Sequence, residues 1–123
     1  MHSGAENPLL SPQASWLEVV TTISQGGLGA VNIINESKQL VGLITDGDLR
    51  RWVEKTSSTR LETLHANTIM TKAPIVVGPE TLAYEALKLM ENRPSQISVL
   101  PVVDEQHVCL GLIRLHDIVR CGL

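Results

Sequence analysis

The chain has 123 residues, of which 43% are hydrophobic and 19% charged, which fits one globular domain and excludes a disordered, charge-dominated segment. Ten Lys and Arg against thirteen Asp and Glu give a formal net charge of −3, excluding a general nucleic-acid surface, and Arg50-Arg51 is the one compact basic pair. Two cysteines, Cys109 and Cys121, cannot frame a disulfide scaffold, no apolar run approaches a membrane span, and no signal-peptide pattern opens the chain, so a soluble, cytoplasmic protein is expected.

In chain order, residues 1–7 read as a linker or tail. Pro8-Leu9-Leu10 forms a short strand and Ser11-Pro12 turns the chain. Trp16, Val19, Val20 and Ile23 recur at helical spacing, which predicts a one-faced helix over 15–25 with Ser15 as N-cap and Gly26-Gly27 as its stop. Ala30 to Ile34 reads as a strand, Asn35 to Lys38 as a hairpin turn, and Gln39 to Thr45 as the returning arm. A helix follows over about 46–55, then a loop at 56–59, a short helical stretch over 61–70, and a strand at Ile75 to Val77 after Pro74.

The same order then recurs: a helix bearing Leu82, Ala86, Leu89 and Met90, a strand from Ile97 to Val103, a turn at Asp104 to His107, a strand from Val108 to Arg114, and a closing helix to Arg120. An offset of 69 residues places Glu36 on Glu105, Gly42 on Gly111 and Asp48 on Asp117, whereas the helices align at 67. The pattern predicts an α+β fold of two βαββα copies. Each copy carries one sheet face that it cannot bury alone, so the copies are expected to pack face to face about a pseudo-two-fold axis. The division is expected at 8–70, including a connecting helix, and 71–123.

At Thr45-Asp46-Gly47-Asp48 an apolar strand gives way to a helix within three residues. A helix N-terminus presents unpaired N–H groups and partial positive charge, which suits a phosphate and a capping carboxylate equally. Both readings stay open here. Asp46 and Asp48 favour the helix dipole without any ligand, and two carboxylates repel a phosphate unless Arg50, Arg51 or a cation compensates. His2, His65, His107 and His116 are scattered without metal-ligand spacing, and no nucleophile sits on a recognisable elbow. No metal, cofactor or catalytic residue is therefore expected. Trp16 and Trp52 read as core or interface anchors.

Duplicated βαββα units whose hairpin arm ends in Gly-h-h-Thr-x-x-Asp, h being apolar, resemble the tandem cystathionine-β-synthase (CBS) domain pair, or Bateman module, over nearly the whole chain. The first copy carries the motif as Gly42-Leu43-Ile44-Thr45-Asp46-Gly47-Asp48. The second reads Gly111-Leu112-Ile113-Arg114-Leu115-His116-Asp117, with Arg114 in place of the hydroxyl residue. Met1 to Gly4, Gly27 to Val31, Ile44 to Arg51, Ile69 to Thr71, and Leu115 to Ile118 with Gly122 also look like the C-terminal half of bacterial arabinose 5-phosphate isomerases. In that family a sugar isomerase (SIS) domain precedes the CBS pair.

The resemblance implies a regulatory module that senses a nucleotide or nucleotide-sugar, of adenine or cytidine type, for an isomerase interconverting ribulose 5-phosphate and arabinose 5-phosphate. It implies that Thr45 and Asp48, with Asp46 beside them, form one ligand site, and that Arg114, His116 and Asp117 form a second. The cleft holding Thr45 and Asp48 is expected to fill first. Base-facing walls are expected from Gly29 to Val31 and Ile97 to Val99. The competing expectation is an interaction module with empty clefts that holds isomerase subunits together as a homodimer through its helix faces.

Overall fold

In the computed structural model, residues 7–80, 85, 88 and 99–114 are described. The elements are β1 (Leu9–Leu10), α1 (Trp16–Gly26), β2 (Ala30–Ile34), β3 (Leu40–Thr45), α2 (Asp46–Lys55), α3 (Ser58–Leu61), α4 (Ala66–Ile69), β4 (Thr71–Lys72), β5 (Val99–Val103) and β6 (Cys109–Arg114). The first four strands form one sheet in the order β1-β2-β3-β4, and β5 and β6 form a second. Leu82, Ala86, Leu89 and Met90, the expected apolar face of the second repeat's helix, and the helix expected over 115–120 lie outside the described residues.

Local chemistry sets the limits of α1. The Ser15 hydroxyl accepts from the Glu18 amide at 3.1 Å, and the Glu18 carboxylate accepts from the Ser15 amide at 3.2 Å, a reciprocal cap that satisfies two otherwise unpaired donors. Gly27, at φ 68°, ends the helix by donating to the Ile23 carbonyl. Val19 and Ile23, four residues apart, are buried with Val31, Ile33, Ile44, Ala66 and Ile69 in the core between helices and sheet.

The opposite sheet face belongs to the other repeat. Directly opposed residues of an antiparallel pair share a face. The β2–β3 register joins Ala30 to Thr45, Asn32 to Leu43 and Ile34 to Leu40, with a bulge after Ile33. The β5–β6 register joins Val99 to Arg114, Pro101 to Leu112 and Val103 to Cys109, with a bulge after Val102. Every one of these positions in the first sheet maps onto the second at the 69-residue offset. Ala30, Leu43, Val99 and Leu112 form one inter-repeat cluster, and Leu40, Val103 and Cys109 another, so the apolar faces cover one another as the duplication requires.

Backbone contacts between the sheets obey the same symmetry. The Leu40 amide donates to the His107 carbonyl at 2.9 Å, and the Cys109 amide donates to the Lys38 carbonyl at 3.0 Å. The turns match as well: Asn35 Oδ1 accepts from the Ser37 and Gln39 amides, and Asp104 Oδ1 from the Gln106 and Val108 amides, all at 2.9 Å. These reciprocal bonds express the pseudo-two-fold axis expected from the repeated sequence.

Two local expectations are corrected. The helical stretch expected over 61–70 is two short helices, because Trp16 donates to the Leu64 carbonyl and Ala66 to the Ala14 carbonyl. That pairing holds His65 extended, at φ −120°, so tertiary bonding overrides helix continuation. The strand expected over 75–77 is a single parallel bridge between Val77 and Val102. In the first repeat the Asn32 amide donates to Pro8 at 2.9 Å, but Pro101 at the equivalent position has no N–H to give. Thr71 and Lys72 pair with Leu43 and Gly42 at the edge of the first sheet.

Candidate functional site

Thr45 ends β3 on the face turned towards the second repeat, and Arg114 ends β6 on the face turned towards the first. Arg114 Nη1 reaches the Gly27 carbonyl at 3.4 Å. The end of one repeat's motif strand therefore lies against the loop between α1 and β2 of the other. The loop of the second repeat that corresponds in sequence lies outside the described residues.

The Thr45 junction is a capping box. The Thr45 hydroxyl accepts from the Asp48 amide at 3.2 Å, while Asp48 Oδ2 accepts from the Thr45 amide at 2.9 Å. Asp48 Oδ1 also accepts from the Arg51 guanidinium. Both candidate residues are thus engaged in holding the start of α2. Neither is consumed by it, because the hydroxyl hydrogen remains available to donate and each carboxylate oxygen has a second lone pair. Arg51 also answers the charge objection raised by the sequence, since it neutralises the carboxylate nearest Thr45.

Asp46 is exposed, and its amide donates to the Gly29 carbonyl at 2.9 Å. Its Oδ2 lies 3.1 Å from where a Cβ on Gly29 would sit, and Gly29 is at φ 73°. A side chain at Gly29 would therefore be both strained and crowded by Asp46. Thr45, Asp46 and Asp48 come together around the start of α2, and Arg114 is brought to the other motif's side of the repeat interface. His116 and Asp117 lie outside the described residues, as do the wall residues Ile97 and Ser98.

Composition and motif reading missed the polar group inside the interface. Asn32 is fully buried, and its Nδ2 donates to the Gly111 carbonyl at 3.3 Å and to Asn7 Oδ1 at 3.2 Å. Its Oδ1 has no partner among the described residues. The available signal was one amide in the otherwise apolar run Ala30-Val31-Asn32-Ile33-Ile34. Cys109 lies beside this group. Burial pushes its thiol up from the ordinary range, against smaller opposing effects of Asn7, the Gly111 backbone and Asn32, so it packs as an inert small hydrophobe.

Among the described residues no cluster of His, Cys, Asp and Glu could hold a metal ion, and no helix is long and apolar enough to cross a membrane.

Comparison with known proteins agrees with this geometry. A relative named arabinose 5-phosphate isomerase KdsD from Yersinia pestis is 37% identical over 123 residues, which is 100% of this chain and 36% of that protein. The protein of the same name from Escherichia coli is 35% identical over the same span, again 36% of its length. An uncharacterised protein of Chlamydia muridarum is 37% identical over 120 residues, covering 96% of this chain and 36% of its own. The chain therefore spans about a third of the length of these curated relatives.

Among solved structures, the Arabidopsis thaliana CBS-pair protein CBSX2 in complex with AMP superposes with a TM-score of 0.84 at 22% identity, covering 99% of this chain and 91% of that one. The CBS domain pair of MJ0100, in complex with 5′-methylthioadenosine and S-adenosyl-L-methionine, gives 0.83 at 21% identity, covering 98% and 90%. The CBS domain model matches residues 5–55 and 66–123. With the family model matching both repeats, the chain belongs to the CBS domain family, as a tandem pair.

Proposed function

We propose that this CBS pair is the regulatory part of a sugar-phosphate isomerase, sensing a nucleotide or nucleotide-sugar and adjusting the conversion of ribulose 5-phosphate to arabinose 5-phosphate by a SIS domain in the parent chain. The observation that carries the reading is the contact of Arg114 with the Gly27 carbonyl. It brings the end of a motif strand against the opposite repeat's loop, where this reading puts the ligand cleft. In the first cleft, the Thr45 hydroxyl donates to phosphate while Asp48 accepts from a ribose diol and Asp46 flanks the entrance. In the second, Arg114 neutralises phosphate, with Asp117 in the diol role and His116 adjacent. Gly29 to Val31 and Ile97 to Val99 supply the base-facing walls.

In support, the KdsD relatives match along the full chain, and two structures of the same fold are complexes with adenosine compounds. A cytidine nucleotide or nucleotide-sugar is the alternative ligand, as the end product of such a pathway. The repeats divide at 8–70 and 71–123, and the module works in the cytoplasm. The test is calorimetric titration of AMP and CMP into the wild type, Asp48→Ala and Asp117→Ala. Loss of about tenfold or more in affinity in either variant, at unchanged molecular mass, supports the reading. Affinities equal to the wild type in both variants contradict the assignment of these carboxylates.

The second reading is a ligand-free module that joins isomerase subunits into a homodimer. Leu17 on α1 and Val53 on α2 favour it, being 72% and 54% exposed, as does the capping work that Thr45 and Asp48 already perform without a ligand. Leu17→Glu and Val53→Glu then lower the mass in solution, whereas Asp48→Ala leaves regulation of the parent unchanged.

A further inference from the structure

Asn32 and Pro101 occupy the same place in the two repeats, each wholly buried on the face turned to the other sheet. An apolar residue suits that place, and Pro101 meets the requirement. Asn32 does not: a buried amide oxygen without a partner is destabilising, so its presence calls for a cause. Strand β2 runs beside β6 across the interface, with Asn32 against Gly111 at one level and Gly27 against Arg114 at another. Asn32 therefore lies along the seam that begins at Arg114.

The hydrogen bonds of Asn32 fix its orientation. One Nδ2 hydrogen goes to the Gly111 carbonyl, an acceptor built into β6. Turning the amide over would set Oδ1 against that carbonyl, oxygen to oxygen. The second Nδ2 hydrogen goes to Asn7, a half-buried residue ahead of β1. Replacing Asn7 by a ligand frees one donor next to the unpaired acceptor Oδ1. A donor and an acceptor side by side match an exocyclic amine next to a ring nitrogen, the edge carried by adenine and cytosine. Hypoxanthine and uracil present the reverse pattern, and the Gly111 bond prevents the amide from turning to meet it.

We propose that Asn32 reads the base in the seam between β2 and β6, selecting a nucleotide whose base carries an exocyclic amine beside a ring nitrogen. This rests on the reading of the module as a nucleotide sensor. It also reverses the order expected from the motif, because base selection falls to the cleft of Arg114 rather than to that of Thr45, where Pro101 offers no polar group.

The test is calorimetric titration of AMP, IMP, CMP and UMP into the wild type, Asn32→Val and Asn7→Ala. The wild type is expected to favour AMP over IMP, or CMP over UMP, by about tenfold or more. The arm with the larger ratio identifies the base. Asn32→Val is expected to lose the preference while retaining part of its affinity through phosphate and ribose, and to melt no lower than the wild type without nucleotide. Asn7→Ala, at a half-exposed position, is expected to keep the preference. Binding without preference in the wild type, or an unchanged preference in Asn32→Val, overturns base reading by Asn32 and leaves the sensor intact. Absence of binding by all four nucleotides overturns the sensor reading and this inference together.

Discussion

Lys38 and His107 share a left-handed backbone conformation, at φ 65° and 67°, and each offers its carbonyl to the strand that follows the other. Leu40 donates to His107 and Cys109 to Lys38. The two turns thus lock the sheets together about the pseudo-axis. A residue with a Cβ is disfavoured there by about 1–2 kcal/mol, partly offset by the entropy that a glycine loses on folding. Lys38→Gly and His107→Gly are each expected to be neutral to stabilising by up to about 1 kcal/mol. Lys38→Val and His107→Val are expected to destabilise by about 1–2 kcal/mol each. Urea unfolding checks both pairs, and the symmetry requires members of a pair to agree within about 0.5 kcal/mol.

Thr45 caps α2 whether or not a nucleotide binds. Thr45→Ala is expected to cost about 1–2 kcal/mol, and Thr45→Ser only a few tenths. The same two variants separate stability from recognition. Serine restores the hydroxyl for both roles, whereas Thr45→Asn supplies a cap without a hydroxyl and is expected to recover stability but not phosphate binding. Unfolding midpoints beside nucleotide titrations read the two effects independently.

Gly42 opens the motif for a packing reason. A Cβ at this position would fall 2.3 Å from Met70 Sδ and 3.0 Å from Met70 Cβ, so even rotation of the methionine does not clear the space. Gly42→Ala is expected to destabilise by about 1–3 kcal/mol. In combination with Met70→Ala the penalty should fall below the sum of the single effects by about 1 kcal/mol, the signature of residues in direct contact. Additivity in that double-mutant cycle would mean that the segment around Met70 does not rest on β3.

Cys109 should react slowly with thiol reagents at neutral pH until the chain unfolds, measured in a Cys121→Ser background. Its thiol lies above the ordinary value of 9.0 because burial disfavours the thiolate. The fold therefore favours the protonated form. The corresponding stability is present below about pH 9 and is lost as pH rises through the folded-state value. Cys109→Ala is expected to flatten the decline in melting temperature above pH 9; an unchanged decline would assign it to other groups.

The repeat, the cap at Ser15 and the limits of α2 were legible in the sequence because they depend on local periodicity and capping chemistry; at α2 the N-cap is the Thr45 hydroxyl, where a carboxylate was expected. So was the face-to-face packing, since two apolar sheet faces in tandem leave no other cover. The second repeat's first strand was not, because its shortening follows from the missing N–H of Pro101, twenty-four residues beyond Val77. The split between α3 and α4 depends on bonds to Ala14 and Trp16, which no local pattern in 61–70 contains. At the site, the motif pointed to Thr45 and Asp48, and of the two arginines named to compensate their charge it is Arg51 that pairs with Asp48. The motif was blind to Asn32, whose meaning appears only once Gly111 and Asn7 are seen beside it.

The central claim is that clefts between the repeats hold a nucleotide, and calorimetric titration of AMP and CMP into the wild-type chain, paired with melting curves, tests it most directly. The account predicts saturable heat for one of them, with no more than two molecules per chain, and stabilisation of about 2.7 kcal/mol at a hundredfold excess over the dissociation constant. No heat and no melting shift with either nucleotide, or with a cytidine nucleotide-sugar, would contradict it and leave the ligand-free subunit connector as the function.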